Sequence, residues 1–167
     1  LAMRAVGASP KALRERIPDV VLTSDVIVGF PGETDEQFAH LMGFVREIQF
    51  DRLGAFTYSP EEDTPAARMD GQLPEEIKQK RLDELMTAQQ TFSLERNRLR
   101  IGTEEKVLVE TVDGKGHGVG RSAQEAPDTD GVIKLTGVSE ADLGQFVRAR
   151  ITDAEVYDLR AERIRED

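Results

Sequence analysis

Residues 26–34, VIVGFPGET, restrict what this chain can fold into more than any other stretch. Three apolar residues run straight into Gly-Phe-Pro-Gly. A carboxylate follows, then Thr34, a residue that starts helices well. A short apolar, β-branched run ending in such a turn predicts a strand, a tight corner and a helix. That unit belongs to α/β folds with parallel strands. Two glycines around an aromatic and a proline are more than a plain connection needs. They predict a place where backbone comes close to something.

The flanking residues extend the same reading. Residues 10–17 predict a short helix, with Ser9 as cap and Pro10 at its first position. Residues 20–28 predict a strand covered on both faces, as in a parallel sheet. Thr34 with Gln37 three residues on predicts a capping box. Phe38, Leu41, Val45 and Ile48 then recur at helical spacing over 35–48. Residues 52–58, RLGAFTY, predict the next strand, and a polar loop with two prolines follows it. Pro74 opens a long helix to about residue 100, with Ile77, Leu82, Leu85, Met86, Phe92 and Leu99 as its apolar face. Two strands are too few for a stable parallel sheet. The chain also opens without a methionine, so a piece of a longer protein is expected.

After Gly102 the pattern changes. EKVLVET, VGRSA, GVIKL, QFVRARI and AEVYDL are short β-rich runs separated by glycine-rich turns, notably DGKGHGVG at 113–120. They predict a five-stranded antiparallel barrel. AERIRED at the end reads as a frayed tail. The expected domains are 1–101, α/β, and 102–167, all-β.

Ligands of parallel sheets bind beyond the carboxyl ends of the strands, and Val28 is such an end. Gly29 and Gly32 would let a flat ring lie on backbone, with Phe30 and Pro31 against its faces. Amides at the turn and near Thr34 could meet ring nitrogens or carboxylate oxygens. A tight βα corner with no ligand explains the same residues. The motif is neither a P-loop nor the dinucleotide fingerprint. Tyr58 and Ser59 follow the second strand on the same rim, with Glu61, Glu62 and Asp63 beyond. These carboxylates either do acid–base work or form a solvated loop. There is no cysteine and only His40 and His117, so no metal site is expected. No apolar run approaches the ~18 residues of a membrane span, and a cytoplasmic location is expected. The net charge is −10, and residues 102–167 carry nine Lys and Arg against fifteen Asp and Glu. Counterion-driven nucleic-acid binding needs the opposite balance, and an acidic protein suits a basic partner.

Three segments taken in order, DVIVGFPGETDEQF, DRLGAFTYSPEEDTPAA and RLDELMTAQQTFSLERNRLRIG, resemble the radical S-adenosylmethionine methylthiotransferases. The β-rich end is similar to their TRAM domain, a barrel related to the OB-fold. The resemblance implies that 1–101 is the C-terminal portion of a radical S-adenosylmethionine (βα) barrel and 102–167 a TRAM domain. One branch of the family modifies a transfer-RNA adenosine. The other, RimO, adds a methylthio group to the β-carbon of an aspartate in ribosomal protein S12. YSPEE, EAPDTDG and ITDAEVYDL resemble the RimO branch, whereas Asp25 resembles the transfer-RNA branch. Asp63 stands where the family carries Gly. By the same resemblance Ile27, Gly29, Phe30, Pro31, Gly32 and Glu33, with Thr57, Tyr58 and Ser59, face S-adenosylmethionine. The two 4Fe–4S clusters of the family need six cysteines that this chain lacks. No catalytic residue is therefore assigned, and the chain alone should be inactive. The alternatives are the transfer-RNA enzyme and a non-catalytic OB-like binding module.

Overall fold

A capping box decides where the first long helix begins. The computed structural model describes residues 10–165. In it Thr34 Oγ1 accepts from Gln37 N–H, and Gln37 Oε1 accepts from Thr34 N–H, so two otherwise orphaned amides are satisfied reciprocally. Helix α2 then runs Asp35–Ile48 and buries Phe38, Met42, Val45 and Ile48. It follows a short helix α1, Pro10–Arg16, and a strand β1, Thr23–Val28. Ser9 lies outside the described residues. At the far end of α2 the Arg14 guanidinium donates to the carbonyls of Ile48 and Gln49. A cation there satisfies free carbonyls and complements the helix dipole.

Strand β2, Arg52–Thr57, pairs parallel with β1 in the register Val28↔Thr57. Both strand ends therefore reach the same rim. The helix α3, Glu75–Arg98, follows. The described strands here form a two-stranded parallel sheet, with Val28, Leu53, the α2 residues and Leu85 in one core.

Two expectations are corrected in this region. The strand starts at Thr23, not residue 20, and is not covered on both faces: Ile27 and its partner Phe56 are 58% and 59% exposed. The expected apolar face of α3 is only partly inside. Ile77 and Leu99 are exposed, and Lys78, Arg81, Leu85 and Gln89 are the buried positions up to residue 89. Their steps of three, four and four residues place them on one face. The polar members bind loop backbone: Gln89 Nε2 donates to Phe50 O at 2.8 Å.

The chain divides into two compact units between Phe92 and Ser93. In the second, strands β3 (Glu104–Val112), β4 (His117–Arg121), β5 (Ile133–Thr136), β6 (Phe146–Ala154) and β7 (Leu159–Arg163) close a barrel in the order β3-β4-β5-β7-β6. Alternate residues fill it: Val107 and Val109, Ile133 and Leu135, Val147, Ala149 and Ile151, Leu159 and Ala161. This is the period-two signature of strands with one buried face.

The barrel is mixed rather than antiparallel, because β5 and β7 pair parallel. A ring of five strands has five neighbouring pairs, and an odd number of strands cannot alternate all the way round. One parallel pair is therefore unavoidable on closure. The final strand is also displaced from its expected place. AEVYDL mostly forms the turn into β7, and the expected tail supplies Ala161 to the core at 2% exposure.

Gly118 and Gly120, expected in the turn, lie inside β4. A Cβ on Gly118 would sit 2.5 Å from Thr111 O, and one on Gly120 would overlap Leu108 O and approach Val107 Cγ1. Strand β3 bulges between Val109 and Thr111 at this place, as tightly coiled small barrels require.

A buried ion cluster fixes the 122–126 loop. Arg100 donates to Glu105 at 2.7 and 2.9 Å, and to Glu125 Oε1 at 2.5 Å. Glu125 Oε2 also accepts from the Ser122 N–H and hydroxyl. Burial pushes the Glu125 carboxyl up, but the hydrogen bond and charge of Arg100, aided by Ser122, outweigh it and hold the carboxyl below its ordinary value.

Two outcomes follow. Gly120→Ala should destabilise the barrel by roughly 1–3 kcal/mol through overpacking against backbone, read as a lower urea midpoint from the β3–β7 amide NMR signals. Because the folded pKa of Glu125 is depressed, its contribution is complete above the unfolded carboxyl value and is lost as pH falls through the folded one. Glu125→Gln should therefore cost roughly 1–3 kcal/mol at pH 7 and have a shallower acid limb than wild type, in urea titrations across pH 3–7.

Candidate functional site

The turn after β1 is shaped by its own chain. Gly29 and Gly32 have φ of 75° and 78°, a region that favours glycine. A Cβ on Gly29 would overlap Cγ of Lys78, so the stem of that lysine occupies the space the missing side chain leaves. A Cβ on Gly32 would meet nothing within 4 Å; Gly32 N–H donates to Gly71 O at 2.8 Å, and it is a Cβ on Gly71 that would crowd Gly32 N, at 3.2 Å. The close approach expected from the glycines is thus made by α3 at Gly29, while the space beside Gly32 is open.

Most of the turn's amides are occupied as well. Gly29 N–H donates to Glu33 Oε2 at 3.0 Å, Glu33 N–H to Phe30 O at 2.9 Å, and Thr34 N–H to Gln37. The Phe30 N–H has no hydrogen-bond partner among the described residues. Glu33 is held in turn by Arg81, which is 5% exposed. One guanidinium nitrogen reaches Glu33 Oε1 at 2.7 Å and Glu33 O at 3.2 Å, and the other reaches Asp35 Oδ1 at 2.7 Å. Arg81 also lies over the Phe38 ring at 5.4 Å.

The second rim segment is tied to the first. Tyr58 N–H donates to Val28 O at 2.8 Å, and Lys78 Nζ donates to Tyr58 O at 2.9 Å. The Tyr58 ring meets Phe30 edge-on at 5.2 Å between centroids. Tyr58 is 8% exposed, and its hydroxyl is buried with no hydrogen-bond partner among the described residues. A buried hydroxyl left unpaired costs about 1–3 kcal/mol, so this side chain of the rim asks for a partner.

The other expected residues fall as follows. Pro31 is buried, Thr57 half-buried, Ser59 exposed and Phe30 42% exposed. Ile27 lies on the open sheet face beside Phe56. The carboxylates Glu61, Glu62 and Asp63 are exposed, in keeping with a solvated loop. Asp63 has φ of 64°, a left-handed position that explains why glycine suits it and aspartate is tolerated. His117 pairs with Asp113 at a hairpin. Sequence reading missed Lys78, Arg81 and Gly71. The available signal was the helical spacing of Lys78 and Arg81 with Leu82 and Leu85.

Among the described residues no group of His, Asp or Glu is placed to hold a metal ion, and no helix is long and apolar enough to cross a membrane. On the barrel's outer face Lys106 lies over the Phe146 ring at 4.6 Å, and Glu104 bridges Arg148 and Arg150.

The TRAM domain family model matches residues 101–164. The chain is similar over most of its length to proteins called ribosomal protein uS12 methylthiotransferase RimO. It is 52% identical to that of Syntrophotalea carbinolica over 88% of this chain and 32% of the relative. It is 51% identical to that of Geobacter sulfurreducens, over 88% and 33%. With that of Desulfitobacterium hafniense the identity is 46%, over 90% and 34%. The chain spans about a third of the length of the curated relatives it matches.

Arg81→Met would leave the part-buried Glu33 carboxylate without its cation. The expected cost is roughly 3 kcal/mol, read by chemical denaturation of the 1–92 unit. Arg81→Lys should recover little of it, because a single ammonium cannot span Glu33 and Asp35 as the guanidinium fork does.

Proposed function

We propose, from a chain that belongs to the RimO family, that it supplies the S-adenosylmethionine-facing rim and the substrate-docking barrel of a uS12 methylthiotransferase. In this reading β1 and β2 are strands of a larger (βα) barrel, and their open face is completed by the rest of that sheet. The methylthio group is added to the β-carbon of an aspartate of uS12.

The observation that carries the ligand part is the buried, unpartnered Tyr58 hydroxyl at the shared rim, beside the half-exposed Phe30 ring. Ligand pockets are mostly apolar with a few placed polar groups, and Phe30, Ile27 and Tyr58 fit the nucleoside end of S-adenosylmethionine in that way. Phe30 and Ile27 give apolar contact to the base, and Tyr58 Oη gives it a hydrogen bond. Thr57 and Ser59 add hydroxyls at the edge. Gly29, Pro31, Gly32 and Glu33 hold the corner in shape. When bound, S-adenosylmethionine supplies a sulfonium whose reductive cleavage starts the chemistry.

Iron–sulfur clusters do not fit these residues. Such clusters are held by thiolates, and the chain has no cysteine. The electron must therefore come from groups outside it, and the isolated chain should not cleave S-adenosylmethionine.

The partner follows from charge. The excess of carboxylates in 102–167 suits a basic ribosomal protein better than a polyanion. One feature favours the transfer-RNA reading: Lys106, Arg148 and Arg150 share a face with exposed Phe146. Glu104 interrupts it by bridging both arginines. Capture of uS12 rather than transfer RNA by the full-length enzyme decides between the two.

Tyr58→Phe tests the ligand site. It removes a hydroxyl that bonds nothing among the described residues, so thermal stability should stay the same or rise. S-adenosylmethionine affinity of the full-length enzyme, measured by equilibrium dialysis, should fall by about five- to tenfold, the worth of one hydrogen bond. Unchanged affinity would remove Tyr58 from the site.

A further inference from the structure

Lys78 occupies a position that the rim's chemistry does not by itself explain. It sits on the buried face of α3 at 8% exposure, where a lysine is rarely found without a paired charge. Its stem fills the space beside Gly29. Its ammonium crosses to the other rim segment and donates to Tyr58 O at 2.9 Å. Among the described residues the only carboxylate paired with it is Glu75 at 2.6 Å, a side chain 69% exposed to water. Burial of an ammonium is costly, and an aliphatic residue would fill the Gly29 space equally well. The charged end is therefore retained for what it holds.

What it holds is Tyr58. The Tyr58 N–H is fixed by Val28 O at 2.8 Å, and the Tyr58 carbonyl by Lys78. With both of its hydrogen-bonding main-chain groups pinned, the residue's Cα–Cβ direction is set, and with it the place of the ring and its unpartnered hydroxyl. One side chain thus braces the corner at Gly29 and locks the residue that faces the ligand.

We propose that Lys78 is a positioning residue for the nucleoside rim, acting through Tyr58. The proposal rests on the reading above that a nucleoside binds there.

The test uses two measurements on Lys78→Met, which keeps the stem and removes the ammonium. In hydrogen exchange on the 167-residue chain, the Tyr58 amide should exchange about tenfold faster, as loss of a hydrogen bond to a charged group implies. Amides of β3–β7 should be unchanged. In the full-length enzyme the KM for S-adenosylmethionine should rise about five- to tenfold with kcat within twofold. A general loss of stability would not produce that split. Lys78→Gln, too short to reach Tyr58 O, should act in the same direction and serves if the methionine variant folds poorly. Glu75→Gln should change neither quantity.

Unaltered exchange at Tyr58 overturns the proposal. So does faster exchange with an unaltered KM, which would make Lys78 a structural brace only. If the wild-type enzyme binds no S-adenosylmethionine at all, the ligand reading fails, and the positioning role falls with it. Binding by wild type with no effect of the variants defeats the positioning role alone.

Discussion

The corner after β1 depends on one carboxylate. A chain that leaves a buried strand end and turns into a helix presents amides that must each find an acceptor. Glu33 supplies the acceptor for Gly29. Its carboxylate is itself mostly removed from water, and a charge in that position needs a partner. Arg81 provides it from α3. The turn and the helix are thus conditional on each other: without α3 the corner holds an uncompensated acid, and without the corner α3 buries an uncompensated guanidinium. The second unit meets the same requirement in its own way, with Arg100 set between Glu105 and Glu125 so that the loop carrying Ser122 closes on the barrel.

Closure imposes a different constraint on the second unit. Once five strands form a ring, alternation must fail at one pair, and the connectivity decides which. Strand β6 returns to pair with β3, so β7 is left to fill the gap between β5 and β6. It runs antiparallel to β6 and hence parallel to β5. Counting strands was therefore enough to exclude a fully antiparallel closed barrel. The sequence reading had the count and missed the parity.

What was legible in the sequence was what is encoded locally. Thr34 and Gln37 are three residues apart and state their own capping box. Val28 and Thr57 end two apolar runs that a parallel register brings together. The alternating interior positions of β3, β5 and β6 can be read directly from the order of residues. What was not legible depends on partners far along the chain. Lys78 is 49 positions from the glycine whose space it fills, and Arg81 is 48 from Glu33. Their helical spacing with Leu82 and Leu85 places them on the inner face, but only the fold supplies the carbonyls and the carboxylate that receive them. The misplacement of β7 has a related cause. AEVYDL has the composition of a strand, but LRAER has the alternation that the core needs, and closure selects the second.

The two glycines of the corner carry the same lesson into function. A glycine read from sequence says only that some atom comes close. At Gly29 that atom belongs to Lys78, whereas the space a Cβ would take at Gly32 is open and only its φ favours glycine. Among the described residues the carbonyls of Gly29 and Pro31 and the Phe30 N–H have no hydrogen-bond partner, so the corner could offer a ligand acceptors and one donor. A nucleoside seated as proposed would present its exocyclic amino group to such a carbonyl, and one of its ring nitrogens would accept from the Tyr58 hydroxyl.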